Sequence, residues 1–104
     1  MEYGLHVIET ATAETILIDL EKGRGAIKSI NINNGNKTTE ATIDLYLKDN
    51  RDQKAYIVKE LNIPGGVTLL LNEGLMFNNS VLSLCMKTVS SGITSSNPIS
   101  VIIK

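Results

Sequence analysis

The stretch A-T-I-D-L-Y-L-K, Ala41–Lys48, decides the fold class. Ile43, Leu45 and Leu47 fall at every second position, with Thr42, Asp44, Tyr46 and Lys48 between them. Successive side chains of an extended chain point to opposite faces, so this alternation describes a strand with one apolar and one polar face. Before it lies Asn33-Asn34-Gly35-Asn36, the strongest turn signal in the chain, because Asn and Gly tolerate positive φ. After it lies the charged loop Asp49–Lys54.

The same rhythm continues outward. Glu14–Glu21 places Ile16, Ile18 and Leu20 on one face, and Lys22-Gly23-Arg24-Gly25 turns the chain. Ala26–Asn33 follows, with Ile30 and Ile32 together and Lys28 nearer the strand end. Ala55–Leu61 is read with Tyr56 and Val58 on one face and Ile57 and Leu61 on the other. Pro64-Gly65-Gly66 must turn, since proline has no N–H to give a ladder. Val67–Asn72 is apolar on both faces through Leu69-Leu70-Leu71, which suggests a core on one side and a neighbour on the other. Glu73–Asn79 is irregular, with a helical turn possible only near Glu73–Phe77 and with Met76 and Phe77 plugging one end of the core. Ser80–Val89 points Leu82, Leu84 and Met86 inward and Ser83, Cys85 and Lys87 outward. Ser90–Asn97 is a Ser/Gly loop, and Pro98 precedes the strand Ile99–Ile103. No segment carries a capped helical face. The expected architecture is all-β, a single antiparallel β-sandwich of jelly-roll or Ig-like type, with about seven or eight strands and little or no helix. It is expected to occupy residues 14–104, with residues 1–13 as an N-terminal arm or first strand.

Composition agrees and narrows the function classes. The 104 residues suffice for one domain. They include 13 Ile, 12 Leu and 6 Val, against one Phe, three Tyr and no Trp. This mixture suits strands and is poor for an aromatic-lined ligand pocket. Ten basic and 11 acidic residues leave a net charge of −1, which gives no basic field for nucleic acid or an anionic membrane surface. No apolar run reaches the ~20 residues of a membrane-spanning helix. The first residues lack a basic region followed by a long apolar stretch, so no secretory signal is expected, and synthesis in a reducing cytoplasm is.

Catalytic chemistry finds little footing. Nucleophilic catalysis needs a base beside the nucleophile, and Cys85 and His6 are the only cysteine and histidine. Read plainly, Cys85 is a small apolar strand residue and His6 belongs to an exposed arm. Asp44 is expected to pair across strands with Lys28 or Lys59. Asp49, Asn50 and Asp52 resemble part of a calcium loop but lack its glycine and distal glutamate. Lys22, Arg24 and Lys28 form too small a basic group for nucleic acid. Tyr3, Tyr46 and Tyr56 are the only rings other than Phe77 on which a sugar could stack. No enzyme activity, cofactor or metal is expected. The ends say more: Tyr3, Leu5, Val7 and Ile8, with Leu70 and the segment containing Ile99, Val101 and Ile103, are the candidate subunit-interface residues. Strand addition is one way they could act. Deleting Met1–Ile8 is expected to weaken assembly more than folding.

The order of the pieces adds a resemblance. Ile27-Lys28-Ser29-Ile30-Asn31-Ile32-Asn33-Asn34 is followed by Ile43-Asp44-Leu45-Tyr46-Leu47 and Leu61-Asn62-Ile63-Pro64-Gly65-Gly66. Then come Leu69-Leu70-Leu71-Asn72-Glu73-Gly74-Leu75 and Val81-Leu82-Ser83-Leu84. Over about Glu14 to Ile103, the chain resembles small all-β virion proteins of tailed bacteriophages. The resemblance implies a non-enzymatic structural protein without choosing among capsid, neck, tail and fibre positions; a capsid decoration or cement protein is the first expectation. The alternatives are a tail, neck or fibre-associated module, or a carbohydrate-binding host-attachment module. With its apolar surplus, the chain is expected to form a homo-oligomer, a trimer among the options, bound to virion proteins such as the major capsid protein. Neither nucleic acid nor membrane is an implied partner, and the place of action is the virion.

Overall fold

A computed structural model describes residues 4–9, 14–20, 26–35, 40–72, 74–89 and 98–104. Ten strands and no helix occur among them. In chain order they are β1 (Gly4–Ile8), β2 (Glu14–Ile18), β3 (Ala26–Ile27), β4 (Ile30–Asn34) and β5 (Ala41–Lys48). β6 (Lys54–Ile63), β7 (Thr68–Leu71), β8 (Leu75–Met76), β9 (Ser83–Thr88) and β10 (Ile99–Ile103) follow. The expected turn at Lys22–Gly25 and loop at Ser90–Asn97 lie outside the described residues.

All pairings are antiparallel. They build a four-stranded sheet β1-β10-β4-β7 (sheet A), a four-stranded sheet β2-β9-β5-β6 (sheet B), and the two-stranded pair β3-β8. The strands are thus more numerous than the alternation indicates, and β6 is longer than the expected Ala55–Leu61. Ala26–Asn33 is divided at Lys28 and Ser29, whose N–H groups both donate to Lys104 O while Lys104 N donates to Ser29 O. Met76, expected as a core plug, is 83% exposed on β8, whereas Phe77 does pack against the core.

The inward rows of sheets A and B meet in one core. Sheet A contributes Ile30, Ile32, Ile99, Val101 and Ile103; sheet B contributes Leu17, Ile43, Leu45, Leu84 and Met86. Ile8 joins them from β1, so of the two expectations for the N-terminal segment, arm or first strand, Gly4–Ile8 forms the strand, at a sheet edge and with one core residue. Removing Met1–Ile8 therefore strips structure as well as surface. In β2 the buried side chain is Leu17, not Ile16, which is 45% exposed. A register shift between Ile16 and Ile18 breaks strict alternation there.

Two irregularities shape β6. Leu45 faces Val58 while the next residue, Tyr46, faces Tyr56, so Ile57 is extra and Tyr56 and Val58 lie on opposite faces. Between the pairs Ile43–Leu61 and Leu45–Val58, Lys59 and Glu60 oppose the single residue Asp44. Such bulges bend an edge and disrupt its ladder. Glu60 adopts φ 51°, and its N–H donates to Asp44 Oδ1 at 2.7 Å. Asp44 thus stabilises a bulge; no ion pair to Lys28 or Lys59 forms among the described residues. The β6–β7 turn is held by Asn34, buried in β4: its Nδ2 donates to Ile63 O at 2.9 Å, and Gly66 N donates to Asn34 O. Gly66 takes φ 77°, a conformation that favours glycine.

Candidate functional site

The outer faces of the two sheets differ in chemistry. Across sheet B the register aligns Ile16, Cys85, Tyr46 and Tyr56, one from each strand. Asp44, Lys48 and Lys87 lie on the same side, with Glu14 opposite Lys87. The sequence marks Tyr46 as surface, yet it is fully buried. Its ring lies 5.5 Å from that of Tyr56, and Lys54 Nζ lies 4.9 Å from its centroid. Its hydroxyl donates to Glu14 Oε2, and Lys48 Nζ donates to Glu14 Oε1. Glu14 on β2 thus reaches across β9 to two residues of β5.

Electrostatics follow from that geometry. The Lys48 and Tyr46 hydrogen bonds hold the Glu14 carboxyl below its ordinary value. Burial, and then the bond to Glu14, push the Tyr46 phenol far above its ordinary value. Glu14 in turn raises Lys48. Burial raises the Cys85 thiol, whose sulfur lies 3.6 Å from Ser83 Oγ. A thiol raised in this way is a weaker nucleophile at neutral pH, because the thiolate is the reactive form. His6 lies half-buried on β1 of the other sheet, so the two residues considered for nucleophilic chemistry stand on different sheets. A Tyr46 ring shielded by Lys54 and Tyr56 offers little platform for a sugar, and Lys59 Nζ sits 4.6 Å from the Tyr56 ring.

The Asp49–Lys54 segment is a hairpin tip. Asp49 Oδ1 accepts from the N–H groups of Arg51 and Gln53, and Asp52 N donates to Asp49 O. Among the described residues, no group of three or more His, Cys, Asp or Glu side chains is placed to hold a metal ion.

Sheet A presents the opposite chemistry. One outward row runs Leu5–Ile102–Asn31–Leu70 and the next runs Val7–Ser100–Asn33–Thr68, each crossing β1, β10, β4 and β7. None of these residues is charged. Leu5 is 66%, Val7 52% and Leu70 53% exposed. Asn33 Nδ2 donates to Thr68 Oγ1 at 2.8 Å, tying β4 to the edge strand.

The expected interface residues therefore separate. Leu5, Val7 and Leu70 share this outer face. Ile8, Ile99, Val101 and Ile103 do not: each is at most 4% exposed and belongs to the core. The error has a simple cause. An apolar residue on either side of a strand looks alike in sequence, and the inward set of β10 was indistinguishable from its outward member Ile102. Tyr3 lies outside the described residues. The residues missed were Asn31, Asn33, Ser100 and Ile102. Their signal was the lack of any charge at the outward positions of two adjacent strands, visible only once β10 is known to pair with β4.

At the opposite end of the strand order from β1 and β2, the edges β6 and β7 border a groove of about 450 Å³ of mixed polar and apolar lining. Ile57 and Val58 line it from sheet B, and Ile30, Leu70 and Leu71 from sheet A. No helix among the described residues is long and apolar enough to cross a membrane. No protein-family model matches the chain, and no curated protein matches it at a significant level.

Proposed function

We propose that the chain is a non-enzymatic structural subunit of a tailed bacteriophage particle, with capsid decoration or cementing as its place. The observation that carries the reading is the contrast between the outer faces: one closed by a Glu14–Tyr46–Lys48 network, the other charge-free over four strands. Charged residues are depleted at the buried centre of protein interfaces, so the second face suits a neighbouring protein. The sequence resemblance supports the virion setting. We also read the two sheets as a jelly-roll sandwich. Support comes from the strand orders β1-β10-β4-β7 and β2-β9-β5-β6, which alternate early and late strands as a doubly folded Greek key does.

On this reading the chain is made in the host cytoplasm and binds copies of itself and virion proteins such as the major capsid protein. Mass spectrometry of purified particles, followed by a cryo-EM map in which the chain is located, tests it. Density for the chain on the capsid shell, with sheet A turned toward a neighbour, is the expected result. Absence of the chain from purified particles would refute the reading.

A further inference from the structure

We infer that the outer face of sheet A binds a second copy of this chain, face to face, about a two-fold axis running across the strands. The inference rests on the structural-subunit reading and names the partner of that face.

Three features argue for a second copy. The face carries no charge, so the same surface can meet itself without like-charge repulsion. Its polar members Asn31, Asn33, Ser100 and Thr68 each bear both a donor and an acceptor, so identical groups can satisfy one another across an isologous contact. The nearest charges in strand order stand at opposite ends: Glu9, exposed, follows β1, and Lys104 follows β10, which runs the other way. A two-fold axis along the strands would put Glu9 at the same end as its own copy. An axis across the strands exchanges the ends and brings each Glu9 toward the Lys104 end of the other copy. In that arrangement the row Leu5–Ile102–Asn31–Leu70 of one copy faces the row Val7–Ser100–Asn33–Thr68 of the other.

Size sets the strength. Four strands about 4.8 Å apart, each offering four or five residues at about 3.4 Å, give a footprint of roughly 300 Å². A stable pair buries ~800 Å² per partner, so this contact is weak in dilute solution and forms at high concentration.

Sedimentation equilibrium of the full chain from about 10 µM to about 1 mM tests this. A monomer–dimer equilibrium within that range is expected. Val7→Lys and Leu70→Lys should each weaken it at least tenfold, while Tyr56→Lys on sheet B should leave it unchanged. Circular dichroism confirms that the variants fold, and Thr68→Lys on the same face serves if either apolar site proves needed for folding. Glu9→Lys should weaken the dimer, and adding Lys104→Glu should restore it. A chain that stays monomeric throughout, a dimer indifferent to all three face variants, or a charge exchange that does not restore pairing would each overturn the inference. A monomeric chain that is nonetheless present on purified particles refutes the pairing alone. A dimer formed through this face by a chain absent from particles refutes the virion setting alone.

Discussion

Replacing Tyr46 with Phe removes one oxygen and keeps the ring that packs at 5.5 Å from Tyr56. What is lost is the donor to Glu14 Oε2, one of the two hydrogen bonds that fasten β2 to β5 across β9. A hydrogen bond to a charged group contributes ~1.5–3 kcal/mol. The Glu14 side chain is 29% exposed, so solvent screening brings the expected loss to about 1–1.5 kcal/mol. For a domain of this size that lowers Tm by about 4–6 °C. The pH dependence gives the sharper test. Glu14 has a folded pKa below its ordinary value of 4.5, so the unfolded chain takes up the proton first as pH falls. The stabilisation is therefore complete above the unfolded value and declines as pH drops through the folded one. Urea unfolding of wild type and Tyr46→Phe should show the full gap near neutral pH and a smaller one at about pH 2.5. Equal gaps at both pH values would show that the hydroxyl matters through packing or solvation and not through the carboxylate.

Three further outcomes are expected. Leu45→Asp places a carboxylate at a fully buried position between Met86 and Val58, so the variant should be unfolded by circular dichroism; a native melt would refute the assigned core face. Asn34→Ala removes the buried donor to Ile63 O and should cost about 1–3 kcal/mol in denaturant unfolding, with no measurable loss counting against Asn34 as the anchor of the β6–β7 turn. Cys85, fully buried, should resist a thiol reagent in the folded chain and react at once in denaturant; rapid labelling of the native protein would contradict its burial.

The alternation in Ala41–Lys48 was legible because Ile43 and Leu45 do face the core, and Ile30, Ile32, Leu84 and Met86 obey the same rule. Reading failed where geometry departs from period two. The extra residues in β6 separate Tyr56 from Val58, and the shift in β2 turns Leu17 inward. It failed again where a polar face is covered: nothing local marks Tyr46 as buried, since its cover comes from Glu14, Lys54 and Tyr56. The candidate face was half legible. Leu5, Val7 and Leu70 stand out as apolar residues, but their union into one surface depends on pairing between strands distant in sequence.

That pairing governs when the molecule can take shape. β10 follows every other strand in the chain, yet lies inside sheet A, between β1 and β4. β9 likewise fills the gap between β2 and β5. Until Ile99–Ile103 has left the ribosome, β1 has no ladder to join and the core lacks three of its aliphatic side chains. Hairpin β5–β6 can close early, since its strands are neighbours in sequence, but sheet A must wait for its last-made strand. Synthesis thus precedes completion of the fold, and a nascent chain stopped before Ile99 is expected to remain open and sensitive to protease.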